Sequence, residues 1–516
     1  MVCGFGDTHP STLRTDIFRY MIQNARTHGK SEEERKFTAM LKLFDPSSSL
    51  PVAERGKAPV AITSFFAGKP LVLDEKVKAG QIDDYVTPTF YAPNVSWLVQ
   101  RNGMNPRHSL MVSLNGSEGN HMHANGISME LYGKGYVLGP DAGIGKTLYQ
   151  GLDYLEYYSQ FPSHNTVCVD GISSYPVMKS NHSFKLRALY PAAGERLPYQ
   201  PISYSEVYFR EPETFADQTR LNGIVNVGDS AGYYIDIFRS RKVEGGDKMH
   251  DYFYHNLGQQ MTLTVADGSE LGLQPTQELA FAGAHLYAYS YIYNKKRAVT
   301  SKDVKAGFTI QMPDKDDITM NLWMKGEEGR EIFSALSPMT EGLSRIKNMP
   351  YSIKDQPTLT FVARQKGEAW NRPFVAVYEP STLKEPSCIA SVDYPQVKSE
   401  QQGSHVGIRV ALTNGSVDWI LSSDENAHHC KLEKLQARAG YALCRQSEKG
   451  ETLQAFLGNG TQLEADGVSI RTDAPADVLL LKQDGKWMYT ATAPCRVVVG
   501  KKKYTLSVSK ELRLLK

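Results

Sequence analysis

The sequence predicts a mainly β protein: a large antiparallel β-sandwich and a smaller C-terminal β domain, preceded by two helices. From about residue 86 onward, short runs of alternating apolar and polar residues are broken by Gly, Asn and Asp, a pattern typical of strands joined by tight turns. Before that point, two segments have the apolar period of amphipathic helices. A chain of 516 residues is long enough for about three domains.

The two helices open the chain. Ser31 and Glu34 have the spacing of a capping box at the start of the second helix, and Pro46 stops it. Two helices of this size cannot bury both of their faces alone. We therefore expect residues 1–45 to be the remnant of a larger helical domain, followed by a connector over residues 46–85. Four apolar residues are expected to form an unmatched face on this helix pair: Leu13, Ile17, Phe37 and Leu41.

The β-rich remainder divides at about residue 350. Residues 86–350 are predicted to form the large sandwich, and residues 351–516 the smaller β domain. The candidate strands are Val95–Gln100, His108–Leu114, Ile127–Tyr132, Tyr233–Phe238, Gln260–Val265, Ile318–Trp323, Leu359–Ala363, Phe374–Tyr378, Gly407–Ala411, Trp419–Leu421, Val478–Leu481 and Cys495–Val499.

The composition is that of a globular protein and argues against several classes of partner. The chain has 58 basic and 56 acidic residues, a net charge of +2, so no overall positive field indicates a nucleic-acid partner. No stretch approaches the roughly 20 apolar residues that a membrane span requires. The six cysteines include no Cys-x-x-Cys pair, which argues against a zinc ribbon or a thioredoxin-type site. The first residues lack the charged and apolar regions of a signal peptide.

Three short segments carry the most informative polar residues. The first holds His121 and His123, the second holds Asp141, and the third holds His164 just before an apolar strand. In an extended backbone, His121 and His123 would point to the same face. His123, Asp141 and His164 are then the ligand mix of a zinc site with three protein ligands and an open position. His121 would remain beside the metal, available to a substrate.

The order of these segments resembles the heparinase II/III family of polysaccharide lyases. In that family, a His-x-His motif opens a β-sandwich and is followed by an apolar strand, a Gly-rich turn, an Asp-x-Gly element and a His-Asn-Thr strand that ends in Val-Asp-Gly. The resemblance covers residues 85–260 well and the rest by domain order. The matching segments here are His121–His123, Ile127–Tyr132, Gly133–Gly135, Asp141–Gly143, His164–Gly171, Gly232–Arg239 and His250–His255.

The resemblance implies an enzyme that cleaves an acidic, uronic-acid-containing polysaccharide or oligosaccharide by β-elimination. It implies Zn²⁺ bound by His123, Asp141 and His164, with His121 as the catalytic histidine that neutralises the sugar carboxylate or shuttles a proton. It also implies a second cleft residue at Tyr158. The substrate can be a glycosaminoglycan or another polyuronide such as alginate or ulvan, since the sequence does not separate these.

Several further residues are candidate substrate contacts. Tyr157 lies next to Tyr158 and is an alternative match to the same cleft tyrosine. Asn125 stands where many relatives carry Asp; it removes a charge but can still hydrogen-bond an imidazole N–H. Arginines suit carboxylate or sulfate groups, although an Arg on a strand more often lies on a solvated face. The main candidates are Arg239 and Arg241, and Arg101 and Arg107 are further candidates.

Two alternatives to an active lyase remain open. One is a zinc-stabilised β-sandwich that binds acidic glycans without cleaving them. The other is an inactive C-terminal fragment, because the family places part of its catalytic machinery on a helical toroid that residues 1–45 do not supply. That toroid is expected in the same or a separate chain, and without it we expect little activity. The resemblance also implies a periplasmic or secreted protein.

Overall fold

The computed structural model of the protein describes residues 16–44, 78–105, 107–145, 152–173, 179–195, 197–280, 287–340, 353 and 356–516. They divide into two compact units, one holding the leading helices and the other holding the β-sheets from residue 88 onward. Most of the predicted connector over residues 46–85 lies outside the described residues, and so does Leu13. Within the described parts of the chain, no helix has the length and apolar character needed to cross a membrane.

The first unit contains the two predicted helices, α1 (Asp16–Thr27) and α2 (Ser31–Phe44), and a short 3-10 turn at Ile82–Asp84. The predicted capping box does not form. The Glu34 amide bonds to the carbonyl of Lys30, which makes Lys30 the N-cap, and the Glu34 carboxylate pairs with Arg26 at 2.8 Å. The predicted exposed face is also partly wrong, because Leu41 is fully buried, whereas Ile17 is 52% exposed.

The second unit is built from strands with a few short helices between them. Its first strands are β1 (Thr89–Ala92), β2 (Trp97–Arg101), β3 (Met111–Asn115), β4 (Ser117–Asn120), β5 (Ser128–Gly133), β6 (Tyr136–Gly139), β7 (Val167–Val169), β8 (Lys179–His182), β9 (Lys185–Tyr190), β10 (Ile202–Arg210), β11 (Ala216–Asn226), β12 (Gly232–Lys242), β13 (Met249–Asn256), β14 (Gln260–Val265), β15 (Gln274–Pro275), β16 (Tyr293–Thr300) and β17 (Val304–Ile310). Its short helices are Pro93–Val95, Tyr154–Tyr158, Phe161–Ser163 and Tyr287–Tyr291.

The strands continue to the end of the chain. They are β18 (Ile318–Met324), β19 (Arg330–Ser337), β20 (Thr358–Lys366), β21 (Ala369–Thr382), β22 (Ile389–Asp393), β23 (Lys398–Ser399), β24 (His405–Leu412), β25 (Val417–Ser423), β26 (His429–Leu432), β27 (Leu435–Gln446), β28 (Thr452–Ala465), β29 (Val468–Gln483), β30 (Lys486–Ala491), β31 (Cys495–Val499), β32 (Lys502–Leu506) and β33 (Ser509–Leu514). Each predicted strand overlaps one of these strands, and Gln260–Val265 and Cys495–Val499 match end to end.

The strands pair antiparallel in five sheets. The small sheets are β1-β2-β3-β5-β6 and the β4-β8 pair. The sandwich proper has an eight-stranded sheet, β14-β17-β18-β21-β12-β11-β10-β9, and a six-stranded sheet, β15-β16-β19-β20-β13-β7. A twelve-stranded sheet made from β22 to β33 forms the C-terminal domain. The predicted fold class, a mainly β chain with a large sandwich and a C-terminal β domain after two helices, is confirmed.

The eight-stranded sheet lies between two apolar cores. On β12, Tyr234 and Phe238 point into the core shared with the six-stranded and five-stranded sheets. Tyr233, Ile235 and Ile237 point the other way, into a core shared with the C-terminal sheet. Because side chains alternate along a strand, a sheet covered on both faces has nearly continuous burial, and β12 is buried from Gly232 to Ser240.

The predicted domain boundary at residue 350 is wrong. β20 pairs with β13 and β19 inside the six-stranded sheet, and β21 lies between β12 and β18 inside the eight-stranded sheet. The sandwich therefore extends to Thr382, and the C-terminal domain begins at Ile389. The sequence shows strands on both sides of residue 350 but not which partners they take, since one partner of each strand, β13 for β20 and β12 for β21, lies more than 100 residues away.

Candidate functional site

The structure brings together the three residues predicted as metal ligands. His123, Asp141 and His164 have exposed fractions of 1%, 9% and 0%. The Nδ1 atom of His164 lies 2.9 Å from Oδ2 of Asp141, and the imidazole rings of His123 and His164 are 5.3 Å apart at their centroids. One donor atom from each of the three residues lies within 4.8 Å of the others. This spacing allows all three to bind a single ion.

The charge of the cluster suits a cation. Burial alone would raise the pKa of Asp141, but the neighbouring His164 and His123 and the amide of Gly143 lower it to about 2. The carboxylate is therefore ionised at neutral pH. It also accepts a hydrogen bond from the Gly143 amide at 3.2 Å, and the Ser128 hydroxyl lies 3.4 Å from its other oxygen.

One observation tests whether a metal fits. The Nε2 atom of His164 is buried, and among the described residues it has no hydrogen-bond partner. Buried polar atoms in proteins are almost always satisfied, so an orphaned imidazole nitrogen beside an ionised carboxylate needs an explanation. Two imidazoles and one carboxylate are a donor set that zinc accepts. The residues present therefore fit the predicted ion.

Residues that the sequence analysis did not single out hold this cluster in place. The Glu130 carboxylate accepts hydrogen bonds from the amide of Asp141 at 3.0 Å and from the Tyr132 hydroxyl at 2.8 Å. The Asn165 side chain donates to the carbonyls of Met129 and Pro140. A signal for Glu130 was present in the sequence, because a carboxylate in the middle of an otherwise apolar strand is rarely buried without a partner.

His121 occupies a different environment from His123. β4 ends at Asn120, and His121 has a backbone φ of 58°, a left-handed conformation that L-residues seldom adopt outside functional or turn positions. Its side chain is exposed, whereas His123 is buried. The expectation that both histidines project from one face of an extended strand is therefore wrong. The exposure of His121 and the burial of His123 are nevertheless compatible with the predicted roles, in which His121 meets the substrate and His123 binds the metal.

The two tyrosines lie inside the protein. Both belong to a single π-helical turn, Tyr154–Tyr158, and Tyr157 and Tyr158 are only 1% and 3% exposed. The Tyr158 hydroxyl donates to the carbonyl of Met339 at 2.7 Å, and burial raises the pKa of Tyr157. Neither side chain faces solvent in this structure, and the predicted cleft roles of Tyr158 and Tyr157 stay predictions.

Asn125 is not a substrate contact in this structure. It is 1% exposed, accepts a hydrogen bond from the Ser117 hydroxyl at 2.7 Å and donates to the carbonyl of Asn115 at 3.3 Å. These bonds tie the loop that carries His123 to strands β3 and β4. The amide therefore has a positioning role in the loop, and its oxygen does not orient an imidazole as predicted.

The two predicted arginine contacts belong to the junction with the C-terminal domain. Arg239 is fully buried and donates to the hydroxyls of Ser404 and Ser422 at 2.8 and 3.1 Å, so its assignment as a substrate contact is wrong. Arg241 is exposed, but its guanidinium lies over the ring of Trp370, 4.2 Å from the centroid. Alternation along β12 explains why Arg239 is buried, since odd-numbered residues of this strand face the C-terminal sheet.

Comparison with known proteins agrees with the sequence motifs. Residues 395–481 match the family described as "Endo-acting ulvan lyase C-terminal domain". Over 500 residues, the chain is 26% identical to an endo-acting ulvan lyase from Formosa agariphila; the match covers 91% of this chain, which thus spans 58% of that relative's length.

Solved structures of polysaccharide lyases are also similar. A heparinase III is 12% identical with a TM-score of 0.43, over 79% of this chain and 47% of that one. The heparan sulfate lyase HepC from Pedobacter heparinus is 12% identical with a TM-score of 0.39, over 80% and 48%. The predicted similarity to polysaccharide lyases is confirmed by the sequence match to an endo-acting ulvan lyase and by the family match over residues 395–481.

Proposed function

We propose that this chain is the sandwich-bearing part of a lyase that cleaves ulvan or a similar uronic-acid polysaccharide by β-elimination. The observation that carries the proposal is the placement of His121, an exposed imidazole on a left-handed backbone, two residues from a buried His/Asp/His donor set. The match to an endo-acting ulvan lyase supports the choice of polymer.

β-Elimination sets the chemical demands on the site. The C5–H bond of the uronic acid breaks, and its electron pair forms a double bond between C4 and C5. The C4–O bond breaks at the same time or later, and the leaving oxygen takes the electron pair and a proton. Imidazole is the side chain best suited to exchanging protons at neutral pH. We assign His121 to proton transfer at one of its ring nitrogens, because it is the one exposed histidine of the motif.

We further propose that the buried cluster holds a zinc ion through His123, Asp141 and His164. A bound zinc supplies positive charge and rigidity to the loop that follows β4. The chain's own contribution is positional. Glu130 fixes the backbone at Asp141, and Asn125 fixes the loop on the other side, so that His121 is presented to solvent from an anchored segment.

The substrate class also supports a location outside the cytoplasm. A polysaccharide chain is too large and too polar to cross a lipid bilayer, so an enzyme that cuts it internally must reach the compartment where the polymer is. We therefore propose that the protein works in the periplasm or is secreted.

The test uses the full-length protein, purified without added metal, with ulvan as substrate and the ultraviolet absorbance of unsaturated uronates as the signal. His121→Ala is expected to abolish elimination while leaving zinc content and melting temperature unchanged. His164→Ala is expected to lose about one zinc per chain and to melt at a lower temperature, because metal-binding energy contributes to folding. His108→Ala is the matched control, since His108 bonds to Glu385 and Asn105 and not to the cluster.

Two results would overturn the proposal. If wild-type protein, supplied with its helical toroid domain, makes no unsaturated uronate from ulvan, heparan sulfate, chondroitin or alginate, the chain is not part of a lyase of this class. If it binds these polymers without cleaving them, the glycan-binding alternative takes its place. A His121→Ala protein that retains full activity would show instead that the proton is moved by another residue, and equal zinc loss from His121→Ala and His164→Ala would contradict their separate roles.

A further inference from the structure

A second group of metal-ligating side chains lies in the C-terminal domain. His405 is the first residue of β24, Asp424 directly follows the end of β25, and His428 lies in the loop that leads to β26. The Nε2 atom of His405 is 3.2 Å from Nδ1 of His428. One donor atom from each of the three residues lies within 4.8 Å of the others, and all three side chains are partly buried.

We propose that His405, Asp424 and His428 form a second divalent-metal site, which takes zinc or another ion that prefers imidazole ligands. Two nitrogens that bind one tetrahedral zinc at about 2.0–2.1 Å lie roughly 3.3 Å apart. The separation between the two imidazole nitrogens is therefore that of two ligands on one ion. Two neutral imidazoles joined by a single hydrogen bond are the alternative, and they would leave the nearby carboxylate without a role in the cluster.

The carboxylate is already oriented. Its Oδ1 atom accepts a hydrogen bond from the amide of Ser404 at 3.0 Å, and its Oδ2 atom accepts one from the indole N–H of Trp370 at 2.7 Å. Each carboxylate oxygen has two lone pairs, so both retain the capacity to bind a cation. Outer-shell hydrogen bonds of this kind are what fix a metal-binding carboxylate in place.

The backbone next to the cluster leaves no room for an ordinary side chain. A Cβ atom on Gly403 would lie 2.8 Å from Oδ1 of Asp424 and 3.0 Å from Nδ1 of His428, two of the proposed ligand atoms. Glycine at this position lets the chain pass directly beside the donor set. Partial exposure of all three ligands provides a path by which an ion enters and leaves room for a water or another ligand in the fourth position.

The site would join two parts of the fold. His405, Asp424 and His428 belong to the C-terminal domain, whereas Trp370, which orients the carboxylate, lies on β21 of the sandwich. Arg241 of β12 stacks on the same indole. An ion held here therefore strengthens a junction that the two domains already share, at a different place in the fold from the His123 cluster.

The test is a metal count in solution. Protein freed of metal with a chelator is titrated with Co²⁺, which replaces zinc and has visible absorption bands that report imidazole ligation, and then with Zn²⁺ in competition. We expect His428→Ala to bind one ion fewer per chain than the wild type. His429→Ala is the matched control and should bind as many ions as the wild type, because His429 is adjacent in sequence but is not part of the cluster.

Outcomes that overturn the site are equally direct. If His428→Ala binds as many ions as the wild type, the pair is a hydrogen bond between imidazoles and no metal is held there. Should His428→Ala fail to fold, His405→Gln removes a ligand at the strand end instead, and its ion count is compared with the wild type in the same way. Loss of one ion from His429→Ala as well would show binding to loose surface histidines and would also overturn the proposal.

Discussion

At the scale of single residues, the buried ion pair of Arg220 and Asp236 organises the backbone near the first cluster. The two side chains bond in a bidentate arrangement at 2.7 and 2.8 Å, and both are almost completely buried. Arg220 also donates to the carbonyls of Ile127 and Asn165, which flank the segments that carry the proposed ligands. A carboxylate on the neighbouring strand β12, 16 residues from Arg220, thus fixes a guanidinium that contacts both segments.

Removing the negative charge should be strongly destabilising. Asp236→Asn leaves a buried guanidinium without its counter-charge, which typically costs about 3–5 kcal/mol. We expect a loss of that order in the free energy of unfolding, measured by chemical denaturation. The control is Asp393→Asn, which disrupts an exposed pair with Arg409 and should cost no more than about 1 kcal/mol. Similar losses from both variants would contradict the role given to burial.

A second residue-scale prediction concerns pH. His255 is 3% exposed, with Nε2 3.0 Å from the carbonyl of Pro162 and Nδ1 3.0 Å from the Thr360 hydroxyl. Burial lowers its pKa from 6.5 to about 4, so the folded protein keeps it neutral where the unfolded chain takes up a proton. Its contribution to stability is therefore complete above pH 6.5 and is lost as the pH falls towards 4.

The loss should be on the order of 3 kcal/mol across that window, since each pKa unit corresponds to about 1.4 kcal/mol. The measurement is the free energy of unfolding of wild type and His255→Gln at several pH values between 4 and 7. The variant lacks the titrating group, so the two curves should converge as the pH falls. Curves that remain parallel would show that His255 does not cause the acid sensitivity.

The sequence could identify those site residues that lie in a recognisable local motif, but not those whose role depends on distant packing. His123, Asp141 and His164 lie in recognisable short segments, and the structure brings them together as predicted. The roles of Arg239 and Tyr158 depended on which surface covers them. That is decided by a sheet or a loop far away in sequence, and no periodicity within a single strand reports it.

At the scale of elements, β20 and β21 are internal strands of the two sandwich sheets. β21 lies between β12 and β18, so its removal splits the eight-stranded sheet. We predict that a chain ending at residue 350 gives no cooperative thermal transition. A chain ending at residue 386 keeps both sandwich sheets and should unfold cooperatively. It should also bind a hydrophobic dye, because the face of the eight-stranded sheet that normally packs on the C-terminal sheet is uncovered. Cooperative unfolding of the shorter chain would contradict the topology.

The strands themselves were predictable, and their grouping was not. Alternation and turn residues located twelve strands, two of them end to end, because those signals depend on neighbouring residues. Strand pairing depends on residues distant in the chain, which is why residue 350 looked like a boundary when it falls between partners of the same sheets. The predicted capping box does not form because the Glu34 carboxylate pairs with Arg26 on the other helix.

At the scale of the whole molecule, the sandwich and the C-terminal domain share a core. Tyr204 and Ile237 of the eight-stranded sheet lie in one apolar cluster with Ile408 and Tyr441 of the C-terminal sheet. The Tyr233 hydroxyl bonds to Asp418 across this surface at 2.6 Å, and Asp418 is itself paired with Arg445 of the C-terminal sheet at 2.7 Å. Domains joined through a continuous core are expected to unfold together.

We therefore predict a single thermal transition for the β-rich unit. Ile408→Ala should remove about 2–5 kcal/mol from the stability of the entire unit, because it leaves a cavity in the shared core. Calorimetry and the near-ultraviolet signal of the sandwich aromatic residues should shift together. Val508→Ala, at a side chain that is 45% exposed, is the control and should change little. A low-temperature transition confined to the C-terminal domain would contradict the prediction.

The pairing of β12 with β21 has a consequence for how the protein is made. Tyr234 finds its neighbour in Tyr378, so a strand buried on both sides must wait until about 140 more residues have left the ribosome. At roughly 5–20 residues per second, that wait lasts on the order of ten seconds. Throughout that time, β12 has its final neighbour β11 on one edge but no partner on the other. Synthesis of this protein should therefore depend on chaperones that bind emerging chains, and more so when translation is slowed between these two strands.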